Sequence, residues 1–116
     1  ARRYQSLFRD RGLDGRLTLP QVTADGTYIA HQYVVRAKER DALKRHLDAR
    51  GIGNAIYYPV PFHLMKAFAD LGHKALDFPE AERAAREVLA LPIFPELGVE
   101  RLTRVVDVVA EFYAGN

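Results

Sequence analysis

Apolar and polar residues alternate along this chain with two different periods. Tyr4, Leu7 and Phe8 recur at helical spacing, and Gly12 follows as the stop. No capping residue precedes this helix, because Ala1 already belongs to its pattern, so it reads as the end of a longer helix. Leu17-Thr18-Leu19-Pro20 is a short extended piece. Tyr28 to Val35 has the strongest strand character, rich in aromatic and β-branched residues and bounded by Asp25-Gly26. Glu39 to Arg50 is predicted helical, with Leu43 and Leu47 one turn apart, an Asp41–Arg45 pair and Gly51 as terminator.

Asn54 to Tyr58 is predicted as a second strand, stopped by Pro59, and a weak helix is predicted over Leu64 to Leu71. Pro79 opens the next helix, with Glu80 and Glu82 in its first turn and Ala81, Ala84, Ala85 and Val88 as its apolar stripe. Leu89 to Ile93 is a third short strand, closed by Pro92 and Pro95. Val99, Leu102, Val105, Val106, Val109 and Phe112 outline the clearest amphipathic helix. The order predicts an α+β fold: a small, mainly antiparallel sheet of three to four strands with helices packed on one face. At 116 residues there is room for one core, hence a single domain over 1–116.

Composition narrows the function classes. Hydrophobic residues at 48% and charged residues at 28% are ordinary for a globular chain. No apolar run approaches the length of a membrane span, no secretory signal opens the sequence, and there are no cysteines for disulfides or thiolate metal sites. These features suit a cytoplasmic protein with no membrane partner. Seventeen basic residues interleave with fifteen acidic ones, as in Lys38-Glu39-Arg40-Asp41, which describes a solvated helix face and no nucleic-acid stripe.

Catalytic chemistry is sparse. The four histidines are scattered singly, so no metal site is expected, and Ser6 is the only serine. Gly51-x-Gly53 follows a helix, where a phosphate loop would precede one. None of Lys38, Lys44, Lys66 or Lys74 has the desolvated setting that a Schiff-base lysine needs. The segment Tyr57-Tyr58-Pro59-Val60-Pro61-Phe62-His63 is the exception. Its two prolines stiffen the backbone, and its phenols and imidazole can bond hydroxyls or phosphates. A rigid strand exit whose aromatics cap the core would read the same way. His31 falls in the best strand, on one face with Ile29, Tyr33 and Val35, where a histidine is more often structural.

An ordered series of motifs resembles one family. His31-Gln32-Tyr33-Val34-Val35, Arg40-Asp41-x-Leu43, Gly51-Ile52, Tyr58-Pro59-x-Pro61-x-His63, Phe78-Pro79-x-Ala81-Glu82 and Leu89-x-Leu91-Pro92-x-x-Pro95 are similar to the C-terminal part of the DegT/StrS aminotransferases. The resemblance covers nearly the whole chain. It implies the small domain of a fold-type I enzyme dependent on pyridoxal 5'-phosphate (PLP), with residues 1–13 ending the helix that joins it to a large domain. It implies amino transfer, usually from glutamate, to a nucleotide-linked keto-sugar within a homodimer. The Schiff-base lysine would lie in that large domain, so this chain is expected to carry no catalytic residue and to bind no PLP covalently.

Carried over position by position, the resemblance places substrate-binding roles on Tyr58, His63, Tyr57, His31 and Tyr33, with Pro59 and Pro61 shaping the site. The family more often has Leu where this chain has Phe62. Severed from a large domain, the first helix would expose Tyr4, Leu7 and Phe8 as an apolar patch. The competing expectation is a stand-alone ferredoxin-like binding or regulatory module. RNA binding by its sheet is disfavoured, because Tyr28 and Tyr33 would lie on opposite strand faces with no Lys or Arg between them.

Overall fold

A computed structural model describes residues 1–115; Asn116, the last residue of the expected domain, lies outside the described residues. The elements are α1 (Arg2–Asp10), β1 (Leu17–Thr18), β2 (Tyr33–Ala37), α2 (Arg40–Ala49), α3 (Pro79–Glu87), β3 (Val88–Leu91) and α4 (Gly98–Ala114). The strands form one antiparallel sheet in the order β1-β2-β3, so the fold is α+β as expected. Adjacent antiparallel strands in sequence order do not make the split βαβ of a ferredoxin-like sandwich, which removes that alternative architecture.

The expected strand Tyr28–Val35 is displaced to Tyr33–Ala37. The register explains why. Tyr33 sits opposite Leu91, so residue 32 would have to pair with Pro92, which has no N–H to give the ladder. Ahead of it, Ala30 takes a left-handed backbone at φ 52° and His31 and Gln32 form a bend. Ile29 is consequently 84% exposed, and His31 shares no apolar strand face with Tyr33. At the other end β1 extends the pairing, with Leu17 against Ala37.

The strand expected over Asn54–Tyr58 is reduced to a single bridge between Ala55 and Ala90. Asn54 turns its side chain back to Asp48, Lys44 and the carbonyl of Ile52, which ties this segment to the end of α2. The helix expected over Leu64–Leu71 is two 3₁₀ turns, Phe62–Leu64 and Lys66–Leu71, with no buried residue. Asp41 pairs with Arg40 rather than with Arg45.

Tyr33, Val35 and Ala37 present the fully buried face of β2, and α1, α2 and α4 complete the core around it. In α4 the expected positions Leu102, Val105, Val106 and Val109 are buried, whereas Val99 is exposed. Tyr4 and Phe8 of α1 are also completely buried: Tyr4 stacks on Tyr33 at 4.6 Å and on Phe8 at 5.8 Å. The apolar patch expected on α1 is therefore absent, because this helix packs inward on the sheet and α4. Arg40, itself buried, donates from Nη1 to the carbonyls of Ala85 and Val88, each at 3.0 Å, and so locks α2 to the junction of α3 and β3. Among the described residues, no helix is long and apolar enough to cross a membrane.

Candidate functional site

Most of the exposed large apolar residues lie in the segment between the Ala55 bridge and α3. Prolines at 59 and 61 lead the chain out into the two 3₁₀ turns, and Tyr58, Phe62, Leu71 and Leu76 are left exposed there. The segment returns at Phe78, the residue before Pro79, and encloses a cleft of about 430 Å³ against α3. Its polar groups come from Tyr57, Tyr58 and His63. Part of its floor is Ala81, Ala84 and Ala85, whose small side chains leave the space open. The stripe read in the sequence as core is thus partly a cleft floor: Ala85 is buried, Ala84 half-buried and Ala81 exposed.

Tyr58 is 60% exposed and stands edge-on to Tyr57, 5.6 Å between ring centres, across a cis peptide bond. His63 is held firmly. Its Nε2 meets Glu82 Oε1 at 2.9 Å, and the two side chains are only 7% and 8% exposed. Phe78 lies edge-on to the His63 ring at 4.9 Å and to the His73 ring at 5.0 Å. Glu82 Oε1 also accepts the backbone N–H of Leu76 at 2.6 Å, where Leu76 has a left-handed φ of 75°. The hydrogen bond from His63, ahead of that from Leu76, holds the Glu82 carboxyl below its ordinary range against the opposing effect of burial.

The structure brings three of the five sequence-predicted residues together: Tyr57, Tyr58 and His63. His31 lies in a neighbouring cleft of about 300 Å³ with Gln32 and Asn54, and Tyr57 lines both clefts. Tyr33 joins neither, because its ring is fully buried. Pro61 lines the main cleft beside Phe62. Glu82 was missed as a site residue, because an acid in the first helical turn is explained by the helix dipole alone. The available signal was its position: it is four residues after Phe78 and three before Ala85, on the apolar side of α3, where a charge needs a buried partner.

Two phenols and an imidazole above an apolar floor can bind a ligand that has both hydroxyls and an apolar face. Nothing among the cleft residues is a nucleophilic amine. Lys38, Lys66 and Lys74 are exposed, and Lys44 is engaged with Asp48 at 2.9 Å and Asn54 at 3.2 Å. Among the described residues no group of three or more His, Asp or Glu could hold a metal ion.

The profile of the DegT/DnrJ/EryC1/StrS aminotransferase family matches residues 1–110. A pleiotropic regulatory protein of Geobacillus stearothermophilus is 48% identical over 100 residues, covering 85% of this chain and 27% of that protein. A dTDP-3-amino-3,4,6-trideoxy-alpha-D-glucose transaminase of Streptomyces venezuelae is 44% identical over 101 residues, 87% of this chain and 26% of that enzyme. The crystal structure of S. venezuelae DesV in complex with a ketimine intermediate superposes with a TM-score of 0.83 at 40% identity, covering 95% of this chain and 31% of that one. The chain thus spans about a quarter to a third of the length of the proteins it matches.

Proposed function

Because the chain belongs to the DegT/DnrJ/EryC1/StrS aminotransferase family, we propose that it is the C-terminal small domain of a PLP-dependent enzyme that aminates a nucleotide-linked keto-sugar. The observation that carries this reading is the cleft, where Tyr57, Tyr58 and His63 stand over the alanine floor of α3. Neutral hydrogen-bonding groups beside an apolar surface suit a sugar ring, which has hydroxyl edges and C–H faces. Pro59 and Pro61 restrict the backbone that presents these groups, so little order is lost on binding.

The residues of this chain do not fit a covalently held PLP, since no lysine lines the cleft. No step through the cofactor is assigned to them. Its lysine would come from a large domain preceding α1, with residues 1–13 as the end of the joining helix. Glutamate as the amino donor, a homodimeric assembly and a cytoplasmic setting complete the reading. The role of the present residues is to bind and orient the sugar: Tyr58 and His63 foremost, Tyr57 beside them, and His31 from the adjoining cleft.

The test uses the full-length enzyme with Tyr58→Phe and His63→Ala. PLP should stay bound and the glutamate half-reaction should persist. The sugar half-reaction should weaken by about 1–3 kcal/mol in kcat/KM, the cost of leaving a buried polar group unpaired. A scaffold role instead lowers thermal stability and scales both half-reactions together. Parental rates in both variants would remove these residues from the site.

A further inference from the structure

We propose that Glu82 is a positioning residue that fixes His63 as its Nε2–H tautomer, so that the ligand group His63 takes is a hydrogen-bond donor such as a sugar hydroxyl, and not a phosphate oxygen. This rests on the sugar-binding reading above and sharpens it.

Lone pairs decide the tautomer. A backbone N–H can only donate, so the 2.6 Å contact from Leu76 requires Glu82 Oε1 to be an acceptor. That same oxygen faces His63 Nε2 at 2.9 Å. At neutral pH the Glu82 carboxyl is ionised and has no hydrogen to give, and two acceptors cannot bond each other, so Nε2 carries the hydrogen. In the neutral ring Nδ1 is then a bare acceptor. Water cannot easily exchange into the pair, because both side chains are more than nine-tenths buried. Phe78 packs edge-on to the imidazole at 4.9 Å and restrains the ring.

Glu82 is well placed to orient a partner. It sits in the first turn of α3, a nine-residue helix opened by Pro79, where the helix dipole favours a carboxylate. Its single oxygen joins two points of the segment leading into α3, the cleft residue His63 at its entry and Leu76 near its end. A phosphate oxygen offers only lone pairs and would face the Nδ1 lone pair; a hydroxyl offers its hydrogen.

Two-bond ¹H–¹⁵N NMR of this chain at neutral pH reads the tautomer directly, with His63 assigned by its loss in His63→Gln. The expected pattern is a protonated Nε2 and an unprotonated Nδ1. Glu82→Gln, whose amide oxygen can accept the same two bonds, should keep that pattern, and Glu82→Ala should raise the Nδ1–H form. An Nδ1–H or imidazolium pattern in the parent, or an unchanged tautomer in Glu82→Ala, overturns the assignment.

The donor preference is tested in the full-length enzyme. His63→Gln retains a donor for Glu82 and an acceptor, so it should lose less of the sugar half-reaction than His63→Leu, which should lose roughly tenfold or more. Equal losses in the two variants overturn the acceptor role. Parental rates in both would overturn the sugar-site reading, while the NMR pattern still decides independently whether Glu82 sets the ring.

Discussion

Tyr4 and Tyr33 stack in the core, and burial pushes both phenols well above their ordinary pKa. Their hydroxyls nevertheless differ. Tyr4 donates to the carbonyl of Pro92 at 2.7 Å, whereas the buried Tyr33 hydroxyl has no partner among the described residues. Tyr4→Phe should therefore cost about 1 kcal/mol, the net worth of a hydrogen bond inside a protein. Tyr33→Phe should be neutral or stabilising, because it removes a polar group that burial leaves unpaired. Urea midpoints of the two variants separate the cases; a loss at Tyr33 as large as at Tyr4 would contradict the assignment. Nothing in the sequence distinguishes these tyrosines. Both read as aromatic residues on an apolar pattern, and only the position of the Pro92 carbonyl divides them. The same limit applied to His31 and Tyr33, two residues apart: the bend at 31–32 sends one to a surface cleft and the other to the core.

Among the elements, helices were legible where caps and periodicity agreed. Pro79 and its two glutamates marked α3, and the valines marked α4. Strand limits were not, because β2 begins only past the point where Pro92 cannot pair, a fact about its neighbour and not about its own residues. The cleft wall was legible as a rigid motif, but its fastening to α3 through Glu82 was not. That fastening has an acid signature. The folded-state pKa of Glu82 is depressed below the ordinary glutamate value of 4.5, so its stabilising contribution is present above about pH 4.5. It is lost as pH falls through the lower folded-state value. Glu82→Gln should accordingly show a shallower loss of stability between pH 5 and pH 3 in roughly matched urea titrations. Asp48, also depressed by Lys44 and Asn54, leaves part of the slope in place. An acid slope identical to that of the parent would separate Glu82 from the tether.

At the scale of the whole molecule, apolar exposure is concentrated between residues 57 and 78, with Phe62 at 67% and Leu71 at 66%. A dye that fluoresces on apolar surface should bind this chain, and Phe62→Ser with Leu71→Ser should reduce the signal. Binding unchanged by that pair would place the sticky surface elsewhere. The N-terminal helix contributes nothing to it, since Tyr4 and Phe8 are spent on the core. That packing has a further consequence. The bonds that hold α1 reach far along the chain: Tyr4 to Pro92 over 88 residues, and Arg11 to Asp107 over 96. During synthesis on a ribosome, α1 therefore emerges with Tyr33 of β2 following soon after, but long before Pro92 and α4. Its full burial must await α4, so the last contacts of this core close only once α4 has cleared the exit tunnel.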